Sequence, residues 1–144
     1  MAGKPFSKNL YERDDNAKDQ FVSWLKAKGW EAWVNPEKYG IDVLAVDLKG
    51  QDHKFEVEVK HNWTGPTFQY ETLHYSDRKR KFLEDPKHTA FVTFNHERTH
   101  IMLAPGVILS ESPTIVKNTI YTKDEKFIEI AVSDCEIIQI EEIE

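Results

Sequence analysis

Lys54-Phe55-Glu56-Val57-Glu58-Val59-Lys60 alternates apolar and charged residues without a break, a period of two that fits a β-strand and no helix. Phe55, Val57 and Val59 leave such a strand on one face, and Glu56, Glu58 and Lys60 on the other. Glu58 and Lys60, two positions apart, have Cα atoms about 6.5–7 Å from each other, close enough to serve one site. The row Glu-x-Glu-x-Lys also sets like charges side by side, which is unfavourable unless a cation stands nearby.

Immediately upstream, Gly40-Ile41-Asp42-Val43-Leu44-Ala45-Val46-Asp47-Leu48 is rich in branched apolar residues and is closed by the turn Lys49-Gly50-Gln51-Asp52. The two segments therefore read as a hairpin. Fifteen residues separate Asp42 from Glu58, and a hairpin of that length brings the chain back alongside itself. Further upstream, Trp30-Glu31-Ala32-Trp33-Val34 reads as a strand stopped by Asn35-Pro36. Ala17, Phe21, Trp24, Leu25 and Lys28 form a stripe that predicts a helix over residues 16–28, capped by Asp14, Asp15 or Asn16 and ended by Gly29. Downstream, residues 62–75 read as a long aromatic and polar loop, and residues 76–83 as a short helix ended by Asp85-Pro86. Residues 89–94 and 99–103 read as strands around a turn at 95–98, and the last third, with Phe127-Ile128-Glu129-Ile130, as one or two more. The expected class is α+β (mixed α/β), a central mixed sheet flanked by helices, in a single domain spanning 1–144.

Asp42, Glu58 and Lys60 place two carboxylates and an ammonium between neighbouring strands. Phosphodiester cleavage needs such a set: oxygen ligands for a hard divalent cation, an activated water, and positive charge opposite the extra negative charge of the transition state. The order Gly40-Ile41-Asp42 followed by Glu58-Val59-Lys60 resembles the D…(D/E)-x-K signature of the PD-(D/E)XK nuclease superfamily, which includes restriction endonucleases and Holliday-junction resolvases. The element order over residues 17–95 matches it too, an α-β-β-β-α-β core of the restriction-endonuclease-like type, here with extra C-terminal strands. The resemblance implies a Mg²⁺-dependent endodeoxyribonuclease, with Mn²⁺ able to substitute, leaving 5′-phosphate and 3′-hydroxyl ends. It implies Asp42, Glu58 and the Val59 carbonyl as metal ligands and Lys60 as the catalytic base or water-orienting group. Ile41 stands where the family has proline, and Lys18 or Asp19 where many members carry a helix glutamate. Gln69 matches a glutamine of some relatives, although Leu73 stands in the place of their tyrosine.

Glu56 shares the face of Glu58 and is either a group that supports the site or an exposed neighbour, with the exposed reading preferred. Arg78, Lys79 and Lys81, in the run Arg78-Lys79-Arg80-Lys81, are candidates for phosphate contacts together with Gln69, or else form a solvated helix surface. Trp63, Phe68, Tyr70 and Tyr75 are read as loop packing rather than base-stacking platforms. His96-Glu97-Arg98-Thr99-His100 spells the zinc-peptidase motif H-E-x-x-H, but its flanks are strand-like, so the helical spacing that motif requires is not expected.

Composition agrees with a soluble globular protein, 40% hydrophobic and 31% charged, and Cys135 as the sole cysteine excludes an internal disulfide and a cysteine-rich zinc site. The net charge of −6 is uneven: residues 1–52 carry 8 basic and 9 acidic side chains, residues 53–105 carry 8 and 7, and residues 106–144 carry 3 and 9. The acidity sits in the last third, which argues against tight non-specific DNA binding but not against DNA. A polar start and the lack of an apolar span predict a cytoplasmic protein with no membrane partner. The expected partner is duplex or branched DNA, and two-strand cutting would call for a homodimer. The alternative reading is a non-catalytic nucleic-acid- or protein-binding module on the same scaffold.

Overall fold

Helix α1 (Lys8–Ala27) leads into an antiparallel meander of β1 (Glu31–Val34), β2 (Val43–Val46) and β3 (Asp52–Val59). This computed structural model describes the backbone of residues 8–140 and the side chains of residues 16–140. No Gly or Pro interrupts the chain between Lys8 and Ala27, so α1 starts well before the predicted cap. Asp14, Asp15 and Asn16 lie inside it, where a poor helix former costs only about 0.7 kcal/mol relative to alanine. The other end is as expected. Gly29 adopts φ 90°, its N–H donates to the Lys26 carbonyl, and the Trp30 N–H donates to that of Leu25, the paired bonds of a Schellman motif. In the β2–β3 hairpin the Asp47 carboxylate accepts from the Lys49 and Gln51 N–H groups, and Gly50 supplies φ 82°.

The loop predicted over residues 62–75 ends in a strand, β4 (Thr72–Ser76). A 3-10 helix (Asp77–Leu83) and a single 3-10 turn (Pro86–His88) follow, and β5 (Thr89–Phe94) then returns parallel to β3. Next come β6 (His100–Pro105), the short helix α2 (Gly106–Glu111), β7 (Thr114–Lys117), β8 (Glu125–Ala131) and β9 (Glu136–Gln139). Among the described residues the last third therefore holds three strands rather than one or two. The main sheet is mixed, in the order β1-β2-β3-β5-β6-β9, and a smaller antiparallel sheet runs β4-β8-β7.

Alternation along the central strands feeds two cores. Phe55 and Val57 of β3, Val92 and Phe94 of β5, and Ile101 of β6 pack under Ala17, Phe21 and Leu25 of α1. Phe91 of β5 and Met102 and Ala104 of β6 face the opposite way, onto Leu73, Tyr75, Ile128 and Ile130 of the small sheet, with Leu83 and Leu109. One face of the main sheet is thus covered by a helix, and the other chiefly by a second sheet. The charged face of β3 lies on that second side, which decides the fate of Glu56. Among the described residues no helix is long and apolar enough to cross a membrane.

Candidate active site

Asp42 directly precedes β2, and β2 pairs with β3 so that Val43 opposes Phe55. Extending this antiparallel register by one residue sets Asp42 opposite Glu56, with Glu58 one pleat further along the same face. Asp42 is fixed from two sides. One carboxylate oxygen, Oδ2, accepts the Val57 N–H at 2.8 Å, and the other, Oδ1, lies 3.2 Å from the Lys18 Nζ of α1.

Glu56 is not exposed: it retains only 8% of its accessible surface, because the small sheet and the 3-10 helix cover this side of β3. Its Oε2 lies 3.2 Å from Lys79 Nζ, and the same ammonium donates to Glu58 Oε2 at 3.0 Å. Its Oε1 is buried with no hydrogen-bond partner. Burial pushes the Glu56 carboxyl up to about 7; Lys79 opposes the shift, while the adjacent Asp42 charge adds to it. Burial alone would depress the Lys79 ammonium, yet the Glu58 and Glu56 carboxylates outweigh it and hold that group above the ordinary lysine range. Tyr75, buried beneath, bonds through its hydroxyl to Thr93 Oγ1, and burial, reinforced by the Glu58 charge, raises its phenol well above normal. The cation that the Glu-x-Glu row required is therefore Lys79, contributed by the 3-10 helix. From sequence, Lys79 is a candidate phosphate contact or a solvated helix residue, and Glu56 is exposed; the structure buries Glu56 and pairs it with Lys79.

Lys60 follows the last residue of β3. Its N–H donates to the Phe94 carbonyl, its carbonyl accepts from Trp63 N–H, and its half-buried side chain makes no ion pair among the described residues. Val59, half-buried at the carboxyl end of β3, lines a pocket of about 260 Å³ with His96, Glu97 and Arg98. Gln69 is exposed in the loop before β4. Of the basic run, Arg78 and Lys81 are exposed, Lys81 lying over the Phe82 ring. Arg80 pins the 3-10 helix in place through Asp77, the Ser112 carbonyl and Thr114. Trp63 and Phe68 are buried, as loop packing requires; Tyr75 is buried too, but in the strand β4 rather than a loop, and Tyr70 is half exposed.

The H-E-x-x-H segment is a turn between β5 and β6, in which Arg98 takes φ 60° and His100 is already in strand. Glu97 Oε1 accepts the Gly65 N–H, and the Thr99 hydroxyl bonds His100 Nδ1. The two histidines do not share a helical face, which removes the zinc-peptidase reading. Among the described residues, no three acidic, histidine or cysteine side chains stand ready around one metal position. The carboxylates are gathered on Lys79 and Lys18 instead.

No family model and no curated protein matches the sequence. Among solved structures, the chain is similar to Hjc of Archaeoglobus fulgidus, a Holliday junction resolvase from an archaeal hyperthermophile. The TM-score is 0.50 at 14% identity, over 85% of this chain and 86% of that one. A mixed central sheet entered through α1 and an antiparallel meander, with a parallel return from β3 to β5, is the architecture of the restriction-endonuclease-like fold, and this chain carries that fold.

Proposed function

We propose that the chain is a divalent-metal-dependent nuclease that hydrolyses phosphodiester bonds of DNA. The supporting observation is the acidic cluster itself, with Asp42 set beside Glu56 and Glu56 joined to Glu58 through Lys79, on a fold shared with a resolvase. The donor set suits a hard cation. It consists of carboxylate oxygens, and one of them, Glu56 Oε1, is buried and unsatisfied, a costly arrangement for a group with no role to play. Asp42, Glu58 and the Val59 carbonyl would hold Mg²⁺, with Mn²⁺ as a substitute. A bound divalent ion would supply an acidified water and charge compensation at the scissile phosphate.

The protein's own contribution is electrostatic and positional. The Val57 N–H and Lys18 hold Asp42 in a fixed orientation. Lys60 would orient the attacking water or offset negative charge on the phosphate. The products would be 5′-phosphate and 3′-hydroxyl ends. By analogy with the archaeal resolvase, branched DNA is the first substrate to test, and cutting both strands would require two copies of the chain. A second reading, a non-catalytic binding module, draws support from the lysines that already neutralise the carboxylates.

The test is incubation of four-way-junction, supercoiled, linear and single-stranded DNA with Mg²⁺ or Mn²⁺. Asp42→Asn and Glu58→Gln should each reduce cleavage by about a hundredfold or more while the protein stays folded. Cleavage that survives both substitutions would remove this site from the reaction. Binding of junction DNA with no cleavage under any condition would establish the second reading.

A further inference from the structure

Three carboxylates, Asp42, Glu56 and Glu58, share one side of the β2–β3 hairpin, and two ammonium groups attend them. Charges withdrawn from water persist only when they are paired and their remaining hydrogen-bonding capacity is met. Asp42 meets this demand through Val57 and Lys18. Glu56 does not: Oε2 has Lys79, while Oε1 is buried without a donor, and the carboxyl abuts that of Asp42, with which only its protonated form can hydrogen-bond. One ammonium can serve two acceptors, and Lys79 serves Glu56 Oε2 and Glu58 Oε2, so it does not serve Glu56 Oε1 as well. A divalent ion, which takes six or more oxygen ligands, can do so.

The source of that ammonium is suited to exchange. The 3-10 helix is anchored by Arg80, which bonds Asp77, the Ser112 carbonyl and Thr114, so the backbone holds its place independently of Lys79. Lys79 carries its charge on an unbranched four-carbon stem, keeps 24% of its side-chain surface exposed, and sits between Arg78 and Lys81, both at the solvent surface. It can leave without unfolding the element that carries it.

We infer that Glu56 is a third carboxylate of the cation site, and that Lys79 is a resident counter-ion which a divalent cation must displace to enter. The inference rests on the metal-dependent reading above, but it assigns residues outside the D…E-x-K signature. Displacement turns the Lys79 ammonium out beside Arg78 and Lys81, where it adds to the positive surface available to a phosphate. Metal entry and DNA contact are then coupled through one side chain.

The experiment is calorimetric titration of the full chain with Mn²⁺ alone, without DNA, paired with thermal melting. Lys79→Met should bind Mn²⁺ about tenfold more tightly than wild type, and Glu56→Gln about tenfold more weakly. Lys79→Met should also melt lower than wild type without metal and gain more from added Mn²⁺. Lys79→Arg, which keeps the charge, should stay near wild type in both. Should Lys79→Met be unfolded without metal, refolding on addition of Mn²⁺ is the expected result, and failure to refold overturns the inference. Equal or weaker Mn²⁺ binding by folded Lys79→Met, or unchanged binding by Glu56→Gln, also overturns it. If binding is lost in Asp42→Asn but indifferent to Glu56 and Lys79, the metal-dependent reading survives and the displacement does not. No Mn²⁺ binding by wild type or Lys79→Met would end both.

Discussion

Replacing Glu56 by glutamine removes a buried charge whose protonation differs between the folded and unfolded chains. Below pH 4.5 the carboxyl is neutral in both states and has no effect on stability. Between 4.5 and about 7 the unfolded chain releases the proton while the folded chain retains it, so stability falls as the pH rises through this window. Above about 7 the loss is complete and constant. At about 1.36 kcal/mol per pH unit, this window corresponds to at most about 3 kcal/mol. Glutamine keeps the shape and carries no proton to lose. The stability difference between Glu56→Gln and wild type should therefore grow by up to about 3 kcal/mol from pH 4.5 to pH 8, in favour of the variant. Urea unfolding followed by tryptophan fluorescence, with chelator present to hold divalent ions away, measures that difference directly. Parallel pH profiles would show that Glu56 titrates normally. A wild type that gains on the variant as the pH rises would show that pairing with Lys79 outweighs burial and keeps Glu56 ionised throughout.

Packing at Gly106 and at Tyr75 is open to the same kind of measurement. A Cβ added at Gly106 would stand 2.4 Å from the carbonyl oxygens of both Pro86 and Thr89, so Gly106→Ala must push α2 off the turn that precedes β5. A loss of at least about 2 kcal/mol is expected, or about 5 °C in Tm, and a melting curve that superimposes on wild type would contradict it. Tyr75→Phe leaves the buried Thr93 hydroxyl without its partner, and should cost about 1–2 kcal/mol in urea unfolding; no change would mean that the bond contributes nothing net.

Local signals carried the helix and the β2–β3 hairpin. The alternation of Phe55, Val57 and Val59 is seen directly in the α1-facing side of β3, and Gly29 ends α1 through the conformation that glycine adopts most readily. The strand β4 was hidden for a different reason. Leu73 and Tyr75 alternate with polar residues as a strand should, but they follow Gly65-Pro66 and a run of aromatics, and their partners Ile130 and Ile128 lie more than fifty residues away. A pairing of that range leaves no mark on a local window.

The misplacement of Glu56 follows from the same hidden strand. Alternation assigns a residue to a face but does not say what covers the face, and in an antiparallel hairpin the charged side is usually left to water. Here β4, β8 and the 3-10 helix close over it, converting a row of surface charges into a partly buried cluster and bringing Lys79 in to meet it. The repulsion within Glu-x-Glu-x-Lys was the legible part, since it required a positive partner. The identity of that partner depended on a strand pairing that no local pattern announces. The hairpin alone brings Asp42 and Glu58 to one side of the chain, whereas Glu56 and Lys79 meet only once the second sheet is in place.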